Sequence, residues 1–236
     1  MLYASGSLLW LLLIRPDIVP PYFSGLFRAV VVDAGHGGKD RGAAGNGLIE
    51  KELTLDVAER VGRQLREHGL QVVMTRETDD YLSLAERVRV GADQRVPAIF
   101  LSIHFNYAKN RSAQGVETFY YNVNEEVPAE ILGDALLQAP PMSDSEVFAQ
   151  EMQRELVDAL GVPDRGVKNR GFFVLRHSRI PAVLVEGGFV TNAREAARLN
   201  DPKYRQRIAD AIEDGVQAYR NVMRQRMNDL RRKEPS

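Results

Sequence analysis

Cysteine is absent from the 236 residues. That excludes disulfides and thiolate metal ligands, so any metal site must be assembled from His, Asp and Glu. The absence fixes no compartment. Neither sign of charge dominates: 31 Lys and Arg face 32 Asp and Glu, for a net charge of −1. Such a balance gives no field of the kind that draws a chain to nucleic acid, and no nucleic-acid partner is expected. Long hydrophobic runs are also lacking. The most apolar stretch, Ser7–Ile14 (SLLWLLLI), is too short to span a bilayer. No Lys or Arg precedes it and no clear small-residue cleavage site follows, which makes it a poor signal peptide. Two readings stay open: the remnant of an export signal or anchor, and an apolar segment packed on the domain. Asp17–Phe27, with its Pro20-Pro21 pair, reads as a linker. Residues 1–27 are therefore set apart, and the domain begins at about Arg28.

What remains is an ordinary soluble balance, 44% hydrophobic and 27% charged, in a length that suits one α/β domain with a real core. Arg28–Ala34, Leu70–Thr75, Ala98–Ile103, Val116–Asn122, Phe172–Leu175 and Ala182–Glu186 read as about six strands. Glu50–Glu67 carries Leu53, Val57, Val61 and Leu65 at i, i+4 steps, the pattern of an amphipathic helix, with Gly69 at its end. Leu84–Asp93 is a helix with Ser83 as N-cap and Glu86 in the capping-box position. Ser145–Leu160 and Lys203–Met227 are further helices, and Arg231–Ser236 a charged, frayed end. Strands alternating with helices predict a central, mostly parallel sheet with helices on both faces.

In such sheets the ligand site lies off the carboxyl ends of the strands. Polar residues that end strands should gather there. His36 follows the first strand in VVVDAGHGG, His104 ends LSIHFN, and Glu186 ends AVLVEGG. Glu50, in GLIEKE, opens the first long helix and should start near the same edge. Two histidines, a carboxylate and one open position for water form a recurrent catalytic zinc arrangement. A second carboxylate, not bound to metal, then fits as general base and later as proton donor. On this reading Glu50 and Glu186 could take either role. Gly35, Gly37 and Gly38 let the backbone turn tightly beside the imidazole. Asp33 is either a partner that orients an imidazole or a plain strand-end residue. His68 needs no role beyond its helix end, and His177 lies in a loop bordering the site.

These motifs occur in an order that resembles the zinc-dependent N-acetylmuramoyl-L-alanine amidases, the amidase type 3 family. The resemblance covers about Ala29–Tyr219. It rests on the ordered blocks VVVDAGHGGKDRGA, GLIEKELTLDVA, VVMTRETDDYLSLAERV, FLSIHFNYA, GVETFYY and FFVLRHSRIPAVLVEGGFVTN. It implies a mixed sheet flanked by helices and a catalytic domain at 28–223, followed by a charged tail at 224–236. It implies one Zn2+ held by His36, Glu50 and His104, with Glu186 as the catalytic glutamate and Glu52 the local competitor of Glu50. The implied substrate is peptidoglycan, cut between the lactyl group of N-acetylmuramic acid and L-alanine. That places the protein in the periplasm or cell envelope, acting in wall remodelling or daughter-cell separation, as a monomer. Asn106 and Arg76 are candidate substrate contacts. Arg87 is either a contact to stem-peptide carboxylates or half of a helix-surface ion pair.

The chain departs from the family pattern at Asn124–Glu146, which is longer than a minimal link. Within it, Ile131, Leu132, Leu136 and Leu137 form an amphipathic pattern between prolines. Some relatives carry a blocking helix here, so the 127–140 segment could gate the site until an activator protein displaces it, with Glu126 or Glu130 reaching the metal. The alternative is a helix packed on the surface. Phe105 also stands where relatives commonly have a smaller residue. No lysin-motif-like or other separate wall-anchoring module is visible. Rival functions are a zinc carboxypeptidase-like peptidase, a catalytically inactive wall-binding module and a structural zinc site. The last is disfavoured because structural sites are closed by four protein ligands.

Overall fold

The computed structural model describes residues 26–122 and 142–233. The N-terminal apolar run and the 127–140 gating segment lie outside the described residues, as does the end of the tail. Six strands form one sheet in the order β4-β1-β5-β8-β6-β7: β1 (Ala29–Ala34), β4 (Gln71–Met74), β5 (Ala98–Asn106), β6 (Val116–Tyr120), β7 (Asp164–Asn169) and β8 (Ala182–Phe189). The pairs β4-β1, β1-β5 and β5-β8 are parallel. β6 runs antiparallel to β8, and β7 follows β6 in parallel. A two-stranded ladder, β2 (Ala44–Gly45) and β3 (Leu48–Ile49), leads into the first helix.

Helices cover both faces, and β1 shows why. Its six residues are all buried, as a central parallel strand must be. Val30 and Val32 pack with α1 (Glu50–Glu67), α3 (Asp144–Leu160) and α6 (Pro202–Lys233), while Val31 faces the opposite way. There it meets α4 (Phe173–Arg176) and the partly buried Val88 and Val90 of α2 (Leu84–Ala92). α1 presents Leu53, Val57, Val61 and Leu65 to the core, as their spacing predicts. The Ser83–Glu86 capping box starts α2.

Four features differ from the sequence reading. Phe172–Leu175 is a helical turn rather than a strand: the Phe172 carbonyl accepts from the Leu175 and Arg176 N–H groups. A short apolar run carries no period that separates the two. The sixth strand is instead β7, DRGVKN, whose polar sequence fits a sheet edge and gives no apolar signal. The Asn46-Gly47 turn of β2-β3 and α5 (Ala193–Leu199), capped by Asn192, were unread. Finally, α6 runs on to Lys233, through most of the stretch expected as a tail. Among the described residues no helix is long and apolar enough to cross a membrane.

Candidate metal centre and cleft

Since β1, β4, β5 and β8 run the same way, their carboxyl ends share one edge of the sheet. β6 runs the other way and brings its first residues to that edge. A cleft of about 490 Å³ opens there, lined by His36, Glu50, His104, Asn106 and Glu186 among others. Its size is ordinary for a small-ligand site.

Three donors converge in it. His36, Glu50 and His104 each offer one atom, all within 4.8 Å of one another. Glu50 Oε1 lies 3.1 Å from His36 Nε2 and 2.9 Å from His104 Nδ1. Its Oε2 accepts from the Ala43 N–H at 2.7 Å, and Oε1 also accepts from the Phe105 N–H at 3.1 Å. Glu52, the alternative, is exposed. Burial by itself would raise the Glu50 carboxyl, but hydrogen bonds and charge from His104 and His36 outweigh it and hold the group well below the ordinary carboxylate range. In turn, burial would lower His36, but Glu50 and Asp40 raise it on balance. Two imidazole nitrogens and a carboxylate oxygen, open to a cleft, suit zinc by donor type.

The glycine-rich loop after β1 makes this convergence possible. A Cβ on Gly35 would lie 2.4 Å from His104 Cε1. One on Gly42 would lie 2.5 Å from His36 Cδ2 and 2.6 Å from Glu50 Oε2, at a φ of +64°. Only a residue without a side chain admits both imidazoles. His36 itself takes φ 60°, which a non-glycine adopts only when its surroundings impose it. Those surroundings are visible. The His36 carbonyl accepts from Arg87 Nη2 at 2.6 Å, its Nδ1 lies 2.9 Å from Asp40 Oδ2, and Gly37 and Asp40 exchange backbone hydrogen bonds.

Glu186 stands apart from these donors. It is in register with His104 on β5 and with Glu117 on β6. Its Oε2 is buried and lacks a hydrogen-bond partner. Burial raises the carboxyl well above its ordinary range, and Glu50 and then Glu117 push it further. A half-buried carboxyl with one buried oxygen left unpaired beside a metal-type site is a functional candidate, because a purely structural one would be satisfied.

Other expectations are corrected. Arg76 cannot meet a substrate through its guanidinium: it is 3% exposed, and its N–H groups donate to the carbonyls of Ala34, Gly35, Lys51 and Thr78 and to Thr54 Oγ1. Arg87 is neither a substrate clamp nor a surface ion pair. It is buried and donates to Asp33 Oδ1 at 2.6 Å and to the Ala34 carbonyl at 2.7 Å. Asp33 touches no imidazole; it accepts from Thr75, Ser102 and Arg87 in the sheet. The partner of His36 is instead Asp40, four residues on. Asn106 does reach the cleft, but its Nδ2 donates to Glu117 Oε1 at 2.6 Å. His177 follows α4, its ring 4.3 Å from that of Phe173, and does not line the cleft.

Glu117 went unread. It is buried, and Arg165 and Lys168 of β7 donate to its Oε2. The signal was a lone carboxylate in the otherwise apolar and aromatic VETFYY. Its site is the row of the sheet that holds His104 and Glu186.

The fold and this site define a class: an α/β domain with an open His-Glu-His metal-type centre and a free carboxylate beside it. The family profile described as N-acetylmuramoyl-L-alanine amidase matches residues 30–218. The chain belongs to that family. It is 40% identical over 190 residues to the N-acetylmuramoyl-L-alanine amidase LytC of Bacillus subtilis, covering 80% of this chain but only 35% of LytC. The catalytic domain of the amidase CwlV from Bacillus (Paenibacillus) polymyxa superposes with a TM-score of 0.71 at 35% identity, over 83% of this chain and 99% of that domain. The CwlD amidase of Clostridioides difficile, solved in complex with the GerS lipoprotein, gives a TM-score of 0.72 at 28% identity, over 83% and 99% of the two chains.

Proposed function

We propose that this protein hydrolyses the amide between N-acetylmuramic acid and L-alanine in peptidoglycan, with one zinc ion held by His36, Glu50 and His104 and with Glu186 as the catalytic residue. The observation that carries the reading is the buried, unpartnered Oε2 of Glu186, set in register with a donor of the metal-type cluster. Family membership supplies the substrate. A bound zinc ion would polarise the lactyl carbonyl, acidify a water molecule and offset the carboxylate repulsion that raises Glu186.

The chain's own groups do the rest. Glu186 accepts a proton from the attacking water and returns it to the nitrogen of L-alanine as the C–N bond breaks, leaving a lactyl carboxylate and a free amine. Asp40 and Arg87 hold His36 in place from two sides. Asn106, oriented by Glu117, borders the cleft where substrate would lie. Such a substrate requires work outside the cytoplasmic membrane, so we infer export to the cell envelope.

Digestion of purified peptidoglycan, with products identified by mass, tests the assignment. The expected products are stem peptides with a free L-alanine amine and glycan strands of undiminished length. Release of single C-terminal amino acids would mark a carboxypeptidase instead, and loss of glycan length a glycosidase.

A further inference from the structure

The described residues leave seven large hydrophobic side chains exposed, and five of them, Tyr81, Leu84, Tyr107, Phe172 and Phe173, line the metal-site cleft. They come from three separate stretches of chain, at the entry to α2, after β5, and at the entry to α4. Scattered exposed apolar residues need no explanation, but gathering around one cleft does. Four of the five are aromatic. Three of those four rings are also held: Phe172 stands edge-on to Phe119 at 5.0 Å, Phe173 packs on His177 at 4.3 Å, and Lys39 Nζ sits 4.4 Å above the Tyr81 ring. Holding a ring ready in solvent lowers the ordering cost of binding something flat and amphipathic against it.

We propose that this aromatic rim is a binding site for the glycan strand, taking β-1,4-linked N-acetylated aminosugars on ring faces. A pyranose presents a face of C–H groups to an aromatic ring and keeps its hydroxyls in water, which suits half-exposed Tyr and Phe better than a closed apolar pocket. The acidic stem peptide would be held by cations. Arg87, the only arginine or lysine among the described residues that line the cleft, is already spent on Asp33 and on the carbonyls of Ala34 and His36, and the nearby Lys39 sits on the Tyr81 ring. Specificity on this account comes from the sugar side of the scissile bond. The proposal deepens the amidase reading and rests on it for the identity of the sugar.

The test uses the full chain and a probe without any stem amide, tetra-N-acetylchitotetraose, with binding measured by calorimetry. Hydrolysis of peptidoglycan is followed beside hydrolysis of a lactyl peptide that lacks the sugar ring. The wild type is expected to bind the tetrasaccharide. Tyr107→Ala and Phe173→Ala should each weaken that binding at least tenfold and raise KM for peptidoglycan, with kcat on the lactyl peptide unchanged. Both residues are exposed, so the variants should keep the wild-type melting temperature. No saccharide binding by an active wild type would overturn the rim while leaving the amidase reading intact. Saccharide binding without amide cleavage would do the reverse. Unchanged saccharide affinity in both variants, with binding of free stem peptide lost, would assign the rim to the peptide.

Discussion

Glu186 carries the sharpest prediction, because its carboxyl is held above its ordinary range by burial and by Glu50 and Glu117. In the metal-free chain the folded state keeps this proton after the unfolded state has lost it. As pH rises above the ordinary carboxylate range, the folded state is the one binding more protons, so this group's contribution to stability falls until the folded carboxyl ionises. Glu186→Gln removes that dependence and supplies a donor. Chelated Glu186→Gln should therefore be at least as stable as chelated wild type at neutral pH, with the gap closing toward acid, in urea midpoints taken across pH. The same substitution should cut hydrolysis by about 100-fold or more, the usual worth of a general base. Asp40 gives a second test. It is the carboxylate on the far nitrogen of His36. Asp40→Ala should weaken zinc binding by about 10–100-fold in competition with a chelating dye. Gly35→Ala should prevent zinc binding, since its methyl would fall within 2.4 Å of the His104 ring.

Among the elements, β1 and α2 are joined by a buried charge pair that the sequence reading had assigned otherwise. Asp33 and Arg87 are both almost fully buried, and Arg87 also holds the His36 carbonyl. Arg87→Met leaves the Asp33 carboxylate buried with only hydroxyl partners. It should cost roughly 3–5 kcal/mol in denaturant unfolding and loosen zinc as well. A substrate clamp would instead raise KM with stability unchanged. This element also shows what the sequence made legible. The apolar strands, the α1 stripe and the Ser83 cap declare themselves through period and capping chemistry. The metal cluster followed from topology, because parallel strands bring their ends to one edge. Arg76 and Arg87 were misread because an arginine in a polar loop or on a short helix looks alike whether it faces solvent or threads back into the sheet. β7 was missed because an edge strand need not be apolar, and Glu117 because its partners lie far along the chain, at Arg165 and Lys168.

At the scale of the whole sheet, the described residues build a scaffold of parallel strands that share one carboxyl edge, extended by the β6-β7 pair, which runs antiparallel to β8 and carries Glu117 to the same row as His104 and Glu186. Zinc that binds the folded chain alone should raise its stability by about 2.7 kcal/mol at 100 times Kd. The most direct test of the account is reconstitution of metal-stripped protein with zinc, following metal content and peptidoglycan amide cleavage together, for wild type, His104→Ala and Glu186→Gln. The account predicts cleavage that rises with zinc to one equivalent in the wild type, weak zinc and no cleavage in His104→Ala, and one full equivalent of zinc without cleavage in Glu186→Gln. Cleavage by Glu186→Gln at the wild-type rate, or full activity without metal, would contradict it.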